Sequence, residues 1–178
     1  MMVERHWLFL GDSLIEFGDW GEMFPTLMID NRGVAGETVG GLLARLEVTA
    51  DSITAPELIL IMSGINNVAM EDFTFLATYE KVVQLLAARF PQAVIFVNCL
   101  LPVRLPWFSE DTVPRVNSLL QQLARRTGVE FLDIYQSFTD DRGRIDAQCF
   151  LEDGVHLSPH GYRVWAAALT DFLLYDRK

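Results

Sequence analysis

The sequence predicts an α/β protein: a three-layer α/β/α sandwich around a central five-stranded parallel sheet. Three observations predict it. Short apolar runs of strand length alternate with longer stretches of helical period. The interior runs, such as Leu58–Met62 and Val94–Val97, are apolar throughout, as strands covered on both faces must be. Finally, the order strand–helix–strand recurs, and right-handed crossovers then put helices on both sides of the sheet.

In order, the first strand is Trp7–Leu10, apolar throughout and running into Gly-Asp-Ser. Met28–Asn31 is the second, and a helix over Val39–Leu46 follows. Leu58–Met62 is the third strand, and Phe75–Arg89 is the helix that crosses to the fourth, Val94–Asn98. In Val113–Arg126 the residues Val116, Leu119, Leu120 and Leu123 recur at i, i+3, i+4 and i+7, which is one helix face. The fifth strand is Glu130–Asp133, and the last helix is Gly161–Leu174. Its start is marked by "LSPHG", with Ser158 able to cap and Pro159 suited to the first turn. No internal repeat, low-complexity tract or linker interrupts the chain, so residues 1–178 are expected to form a single domain.

Composition narrows the classes of function. Hydrophobic residues make up 51% and charged residues 21% of the chain, which favours a packed core over disorder. The formal net charge is −10 and the pI near 4.6, so nucleic acid and anionic membranes are expected to be repelled. No apolar run approaches the roughly 20 residues of a membrane span. The amino-terminal apolar run ahead of Gly11 is short and Glu4 precedes it, unlike the basic-then-apolar layout of a secretion signal. Cys99 and Cys149 lie far apart with no Cys-x-x-Cys and no second metal-ligand cluster, so both are expected to be buried thiols. These features together predict a cytoplasmic protein without stable membrane insertion.

In a parallel sheet, ligands bind beyond the carboxyl ends of the strands. The loops there are Gly11–Ser13, Arg32–Thr38, Ser63–Val68, Leu100–Thr112 and Ser137–Pro159. In the last of them Asp153 and His156 stand three residues apart, a spacing that puts both side chains on one side of a turn. An aspartate beside a histidine fixes the imidazole tautomer, as a base for an alcohol nucleophile requires. Equally, Asp153 could simply start a turn around a half-buried His156. Ser13 likewise reads two ways, as a helix cap or as a nucleophile at the mouth of the crevice. His6, ahead of the first strand, is expected at the opposite end. His160, behind Pro159, is expected to face solvent or a neighbouring loop. Donors for an oxyanion are available at Gly36, just ahead of a helix, and at Asn66, whose amide is a side-chain donor. A plain turn at Gly36 and local backbone bonding at Asn66 are the plainer alternatives.

Four sequence blocks carry a resemblance. "GDSL" at Gly11–Leu14, "GVAGET" around Gly36, "GINN" at Gly64–Asn67 and "DGVH" at Asp153–His156 occur in the order of the SGNH or GDSL hydrolases. The chain resembles that family from end to end. The resemblance implies a flavodoxin-like SGNH fold, with Ser13 as nucleophile, His156 as base and Asp153 orienting it. It implies an oxyanion hole built from the N–H groups of Ser13 and Gly36 and the amide of Asn66. The implied substrate is a small-molecule ester, and the implied cofactor and metal requirement is none. Many members carry Gly-x-Asn-Asp in the third block, where this chain has Asn67, expected to brace the loop. The Gly-x-Asn-Asn form, "RVNSLLQQLA" and "FLEDGVHLSPHGY" are similar to the branch of platelet-activating-factor acetylhydrolase catalytic subunits. That branch implies short acyl groups, acetyl above all, and a homodimer as its expected assembly, although no surface stripe demands one. Ile15 stands where a Gly-x-Ser-x-Gly elbow would need glycine, which predicts a shallower, more open site.

Three alternatives share the residues or the fold: an acyltransferase on the same site, a lysophospholipase or thioesterase acting on longer chains, and a silent flavodoxin-like binding module. The last lacks any phosphate-cradle motif. Trp107 and Phe108, on the long loop after the fourth strand, either wall an acyl or alcohol pocket or pack the loop onto the core.

Overall fold

A computed structural model describes residues 5–105 and 107–172. Its five strands, β1 (Arg5–Gly11), β2 (Leu27–Gly33), β3 (Leu58–Met62), β4 (Val94–Asn98) and β5 (Glu130–Leu132), form one sheet in the order β2-β1-β3-β4-β5. Every neighbouring pair is parallel. The order turns back beside β1, so the crevice at the carboxyl ends of β1 and β3 is the switch point where ligands bind in open sheets.

The helices are α1 (Ser13–Glu16), α2 (Trp20–Met23), α3 (Val39–Thr49), α4 (Ile65–Ala69), α5 (Phe75–Arg89), α6 (Thr112–Thr127) and α7 (Pro159–Thr170). Side chains alternate across each strand, which divides the core in two. Leu8, Leu10, Ile59, Ile61 and Val97 pack with Leu42, Leu46, Val82, Leu86 and Leu120 of α3, α5 and α6. Trp7, Phe9, Leu60 and Phe96 face the other way, against Ile15, Trp20, Trp165 and Leu169 of α1, α2 and α7. Each such large side chain, fully buried, contributes about 1.5–3 kcal/mol of transfer free energy.

The expected architecture and all five strands are present, with differences that have physical causes. β2 is an edge strand, half-buried or exposed along its length, so its mixed sequence MIDNRG is tolerated there. Leu119, placed by periodicity on the inner face of α6, is 43% exposed, while Val116, Leu120 and Leu123 are buried. It sits at the flank of the apolar stripe. The short helices α1, α2 and α4 fall below the length at which periodicity is legible. α7 starts where its cap predicts, with Ser158 accepting from the Gly161 N–H at 3.1 Å and Pro159 in the first turn. The expected end of this helix at Leu174 lies outside the described residues. Both cysteines are buried free thiols. Among the described residues, no helix is long and apolar enough to cross a membrane.

Candidate active site

β1 ends in Gly11, and the next residue, not Ser13, caps the helix that follows. Asp12 is the N-cap of α1, its Oδ1 accepting from the Leu14 N–H at 3.1 Å. Because Asp12 does the capping, the Ser13 hydroxyl is left for another partner. That partner is His156, whose Nε2 lies 2.9 Å from Ser13 Oγ across 143 residues of sequence. The Ser13 N–H belongs to the first turn of α1, whose donors the helix itself cannot satisfy.

His156 sits in the loop between a 3-10 turn at Ala147–Cys149 and α7. Asp153 organises that loop. Its Oδ1 accepts from the N–H groups of Val155 and His156, both at 2.9 Å, and its Oδ2 lies 2.7 Å from His156 Nδ1. A carboxylate only accepts, so Asp153 fixes the proton on Nδ1 and presents the Nε2 lone pair to Ser13. Partial burial pushes the Asp153 carboxyl up, but the bonds from Val155 and from His156 outweigh it and hold the group below its ordinary range. The stems of the loop are closed by a Phe150–Leu157 bridge and a Leu151 N–H to His156 carbonyl bond at 2.8 Å. The site is open, as expected: the Asp153 side chain is 49% and the His156 side chain 33% exposed.

The remaining predicted residues leave the sheet at the same end. β1 pairs with β2 through Gly11 and Gly33, and with β3 through Gly11 and Met62. A Cβ at Gly33 would strike the backbone of Glu16, so glycine lets α1 lie directly on the edge strand. The next loop turns at Gly36 with φ +74°, a left-handed conformation that glycine adopts without strain. It is tied to α1 by Glu16, whose Oε2 accepts from the Ala35 N–H at 2.5 Å. Asn66, on α4, donates from Nδ2 to the Glu37 carbonyl at 2.9 Å. One amide hydrogen holds the neighbouring loop, and the second is available to a ligand. Asn67 braces as expected, accepting from the Val39 N–H at 3.0 Å and donating to Asp72 at 2.8 Å. Ser13 and Asp153 are thus joined through His156, and the loops bearing Gly36 and Asn66 are joined to each other.

His6 lies within β1, at the end remote from this crevice, its Nδ1 3.4 Å from the Ala55 carbonyl oxygen. His160 is in the first turn of α7, beside the 3-10 turn at Ala147–Cys149. Of the aromatic pair, Phe108 packs partly against the core, whereas Trp107 is 74% exposed. Trp107 lines a cavity of about 270 Å³ with Val68, Phe73 and Phe108, next to the helix bearing Asn66.

Several contributors escape sequence reasoning. The Phe17 ring lies 5.7 Å from the His156 ring, and its only sequence mark is its place one turn after Ser13. Asp12 is fully buried, its Oδ2 has no hydrogen-bond partner among the described residues, and burial pushes its carboxyl up to about 7 against the lowering effect of the Leu14 N–H. Tyr162 donates from its hydroxyl to the Leu14 carbonyl at 2.9 Å, tying α7 to α1. Asn117 brackets Leu100 with two bonds, of 2.7 and 2.9 Å, and so fixes the loop after β4.

The sequence and the fold are both similar to those of known proteins. The family model for GDSL-like lipases and acylhydrolases matches residues 9–164. The rat platelet-activating factor acetylhydrolase IB subunit alpha2 is 32% identical over 161 residues, covering 87% of this chain and 70% of its own. The bovine alpha1 subunit is 31% identical over 173 residues, covering 94% of this chain and 74% of its own. Among solved structures, a Streptococcus pneumoniae protein described as a candidate platelet activating factor superposes with a TM-score of 0.86 at 29% identity. The alignment covers 97% of this chain and 85% of that one. An acetylxylan esterase from Geobacillus stearothermophilus shares the fold, with a TM-score of 0.76 at 21% identity over 98% and 97% of the two chains.

Proposed function

Because this chain belongs to the GDSL-like lipase/acylhydrolase family and is a hydrolase of ester bonds, we propose that it cleaves short-chain carboxylic esters, acetyl esters above all, through an acyl-Ser13 intermediate. His156 takes the Ser13 proton at Nε2 as Oγ attacks the ester carbonyl. Asp153 stabilises the imidazolium that forms and keeps the ring in register. The oxyanion is met by the N–H groups of Ser13 and Gly36 and by the free amide hydrogen of Asn66. His156 then returns the proton to the leaving alcohol. Water, deprotonated by the same nitrogen, attacks the acyl carbonyl and releases the acid and free Ser13.

The observation that carries this reading is the unbroken relay from Ser13 Oγ to His156 Nε2 at 2.9 Å and from His156 Nδ1 to Asp153 at 2.7 Å. A preference for acetyl is supported by the acetylhydrolase subunits among its relatives. An ester of a neutral or cationic small alcohol suits a chain of net charge −10 better than a polyanion such as nucleic acid. The assembly proposed is a homodimer, on the ground of the resemblance to the acetylhydrolase branch alone.

The test is hydrolysis of p-nitrophenyl esters from acetate to octanoate, with Ser13→Ala measured alongside. Turnover highest on acetate and abolished in a folded Ser13→Ala protein is expected. Retained turnover in that variant removes the nucleophile from the scheme, and a preference for octanoate removes the acetyl assignment. Adding an alcohol acceptor separates hydrolysis from acyl transfer by product.

A further inference from the structure

We propose that Asp146, Cys149 and His160 form a binding site for a zinc-class divalent ion, which clips together the two stems of the loop carrying Asp153 and His156. A carboxylate oxygen, the Cys149 sulfur and a ring nitrogen of His160 all lie within 4.8 Å of one another. Bonds of about 2.0–2.3 Å in a tetrahedral zinc site separate the ligand atoms by roughly 3.5 Å. About an ångström of side-chain adjustment therefore closes the site, with solvent as fourth ligand. One thiolate, one imidazole and one carboxylate suit zinc or cobalt and not magnesium or calcium.

The three ligands come from two backbones already held together. Asp146 caps the Ala147–Cys149 turn through Oδ1 onto the Gln148 N–H at 2.9 Å, which leaves its second oxygen for another partner. The Cys149 carbonyl accepts from the Ser158 N–H at 2.9 Å, and the Ser158 hydroxyl donates to the Gln148 carbonyl at 2.5 Å. Gly161 lies so close that a Cβ there would strike the Cys149 carbonyl oxygen. His160 precedes it on the first turn of α7, and its ring makes no hydrogen bond among the described residues. Sequence spacing hides the arrangement, because the third ligand arrives only after the loop has closed.

A nucleophilic role for the thiol does not fit. Cys149 is 1% exposed, and burial, then the charge and hydrogen bond of Asp146, push its pKa up. A metal instead displaces the thiol proton. The Cys149 S–H bond breaks, a sulfur–metal bond forms, and one proton leaves per ion bound. Thiolate and carboxylate together balance the two positive charges, with the imidazole neutral. The site is independent of the roles proposed for Asp153 and His156.

The experiment is a titration of the full, metal-stripped chain with Co²⁺ near neutral pH, followed by displacement with Zn²⁺. We expect saturation at one equivalent, a thiolate-to-cobalt charge-transfer band, visible bands of four-coordinate cobalt, and a higher melting temperature with Zn²⁺. Cys149→Ser and His160→Gln should each remove the charge-transfer band or weaken binding at least roughly 100-fold. Cys99→Ser and His156→Gln should keep it. Absence of the band in the parent protein, its persistence with undiminished cobalt affinity in either ligand variant, or its loss in His156→Gln overturns the proposal. His160 is only partly buried, so its variant remains informative if Cys149→Ser fails to fold.

Discussion

The side-chain amide of Asn66 donates to the carbonyl of Glu37 at 2.9 Å, one residue beyond Gly36. A single amide group therefore spaces the loop after β3 from the loop after β2 and still carries a second N–H hydrogen. In the proposed mechanism, Asn66→Ala removes both an oxyanion donor and this spacer. We expect kcat to fall by roughly 10²–10³ while KM changes little. Steady-state kinetics on p-nitrophenyl acetate decide it, and a change confined to KM contradicts the donor role.

Asp12 is predicted to give the fold an unusual pH dependence. Its carboxyl is pushed from 3.8 up to about 7 in the folded protein, by burial first and by the nearby Glu37 charge, against the Leu14 N–H and the His156 charge. Between those values the folded protein keeps a proton that the unfolded chain has released. The contribution of this group to stability therefore falls as pH rises from about 4 to 7, by at most about 4 kcal/mol. Asp12→Asn keeps a capping oxygen and removes the titration. Chemical denaturation at pH 5 and pH 8 should show the variant gaining on the parent at the higher pH. A difference that does not move with pH contradicts it.

What the sequence made legible follows from where the information lies. The interior strands and the long helices are legible because burial marks many residues at once, as an unbroken apolar run in β3 and as a helical period in α6. Ser13, just after β1, and Asp153 and His156, in the loop before α7, are legible as residue types, and the family resemblance implies their roles. Phe17 against His156, and Tyr162 on the Leu14 carbonyl, are not. Each is a single side chain meeting a partner chosen by tertiary packing, and no local pattern marks it. Leu119 shows the converse error, since a helical period marks a face but not the width of that face that is covered.

Tyr162 is expected to act on the frame around Ser13. Its hydroxyl holds the Leu14 carbonyl, and burial pushes its pKa well above the ordinary phenol range, so it stays a neutral donor at every working pH. Tyr162→Phe keeps the ring packed against Trp165 and Trp20 and leaves that carbonyl without this donor. A loss of about 1 kcal/mol in unfolding free energy is expected. A variant as stable as the parent sinks this assignment.

Trp107 stands 74% exposed beside the cavity shared with Val68 and Phe73. If that cavity receives acyl chains, Trp107→Ala should lower kcat/KM for butyrate and longer esters more than for acetate, since one aromatic wall contributes about 1–3 kcal/mol to a bound chain. An equal loss on every chain length places Trp107 outside the acyl path.

In the proposed mechanism Asp153 bears on both the chemistry and the loop, and the two are separable by choice of substitution. Asn at 153 can keep its carbonyl oxygen on the Val155 and His156 N–H groups while turning its NH₂ toward Nδ1. That NH₂ donates, so it favours the tautomer with the proton on Nε2, where Ser13 needs a lone pair. Asp153→Asn is therefore expected to fold normally and to lose about 10²–10⁴ in kcat. The half-exposed setting of Asp153, where water can reorient the ring, favours the smaller end of that range. Asp153→Ala should cost stability as well, because the two backbone bonds go with the side chain. The ordering to measure is a variant pair with similar loss of turnover and different melting temperatures. Full activity in Asp153→Asn would mean that the ring is oriented by the loop alone.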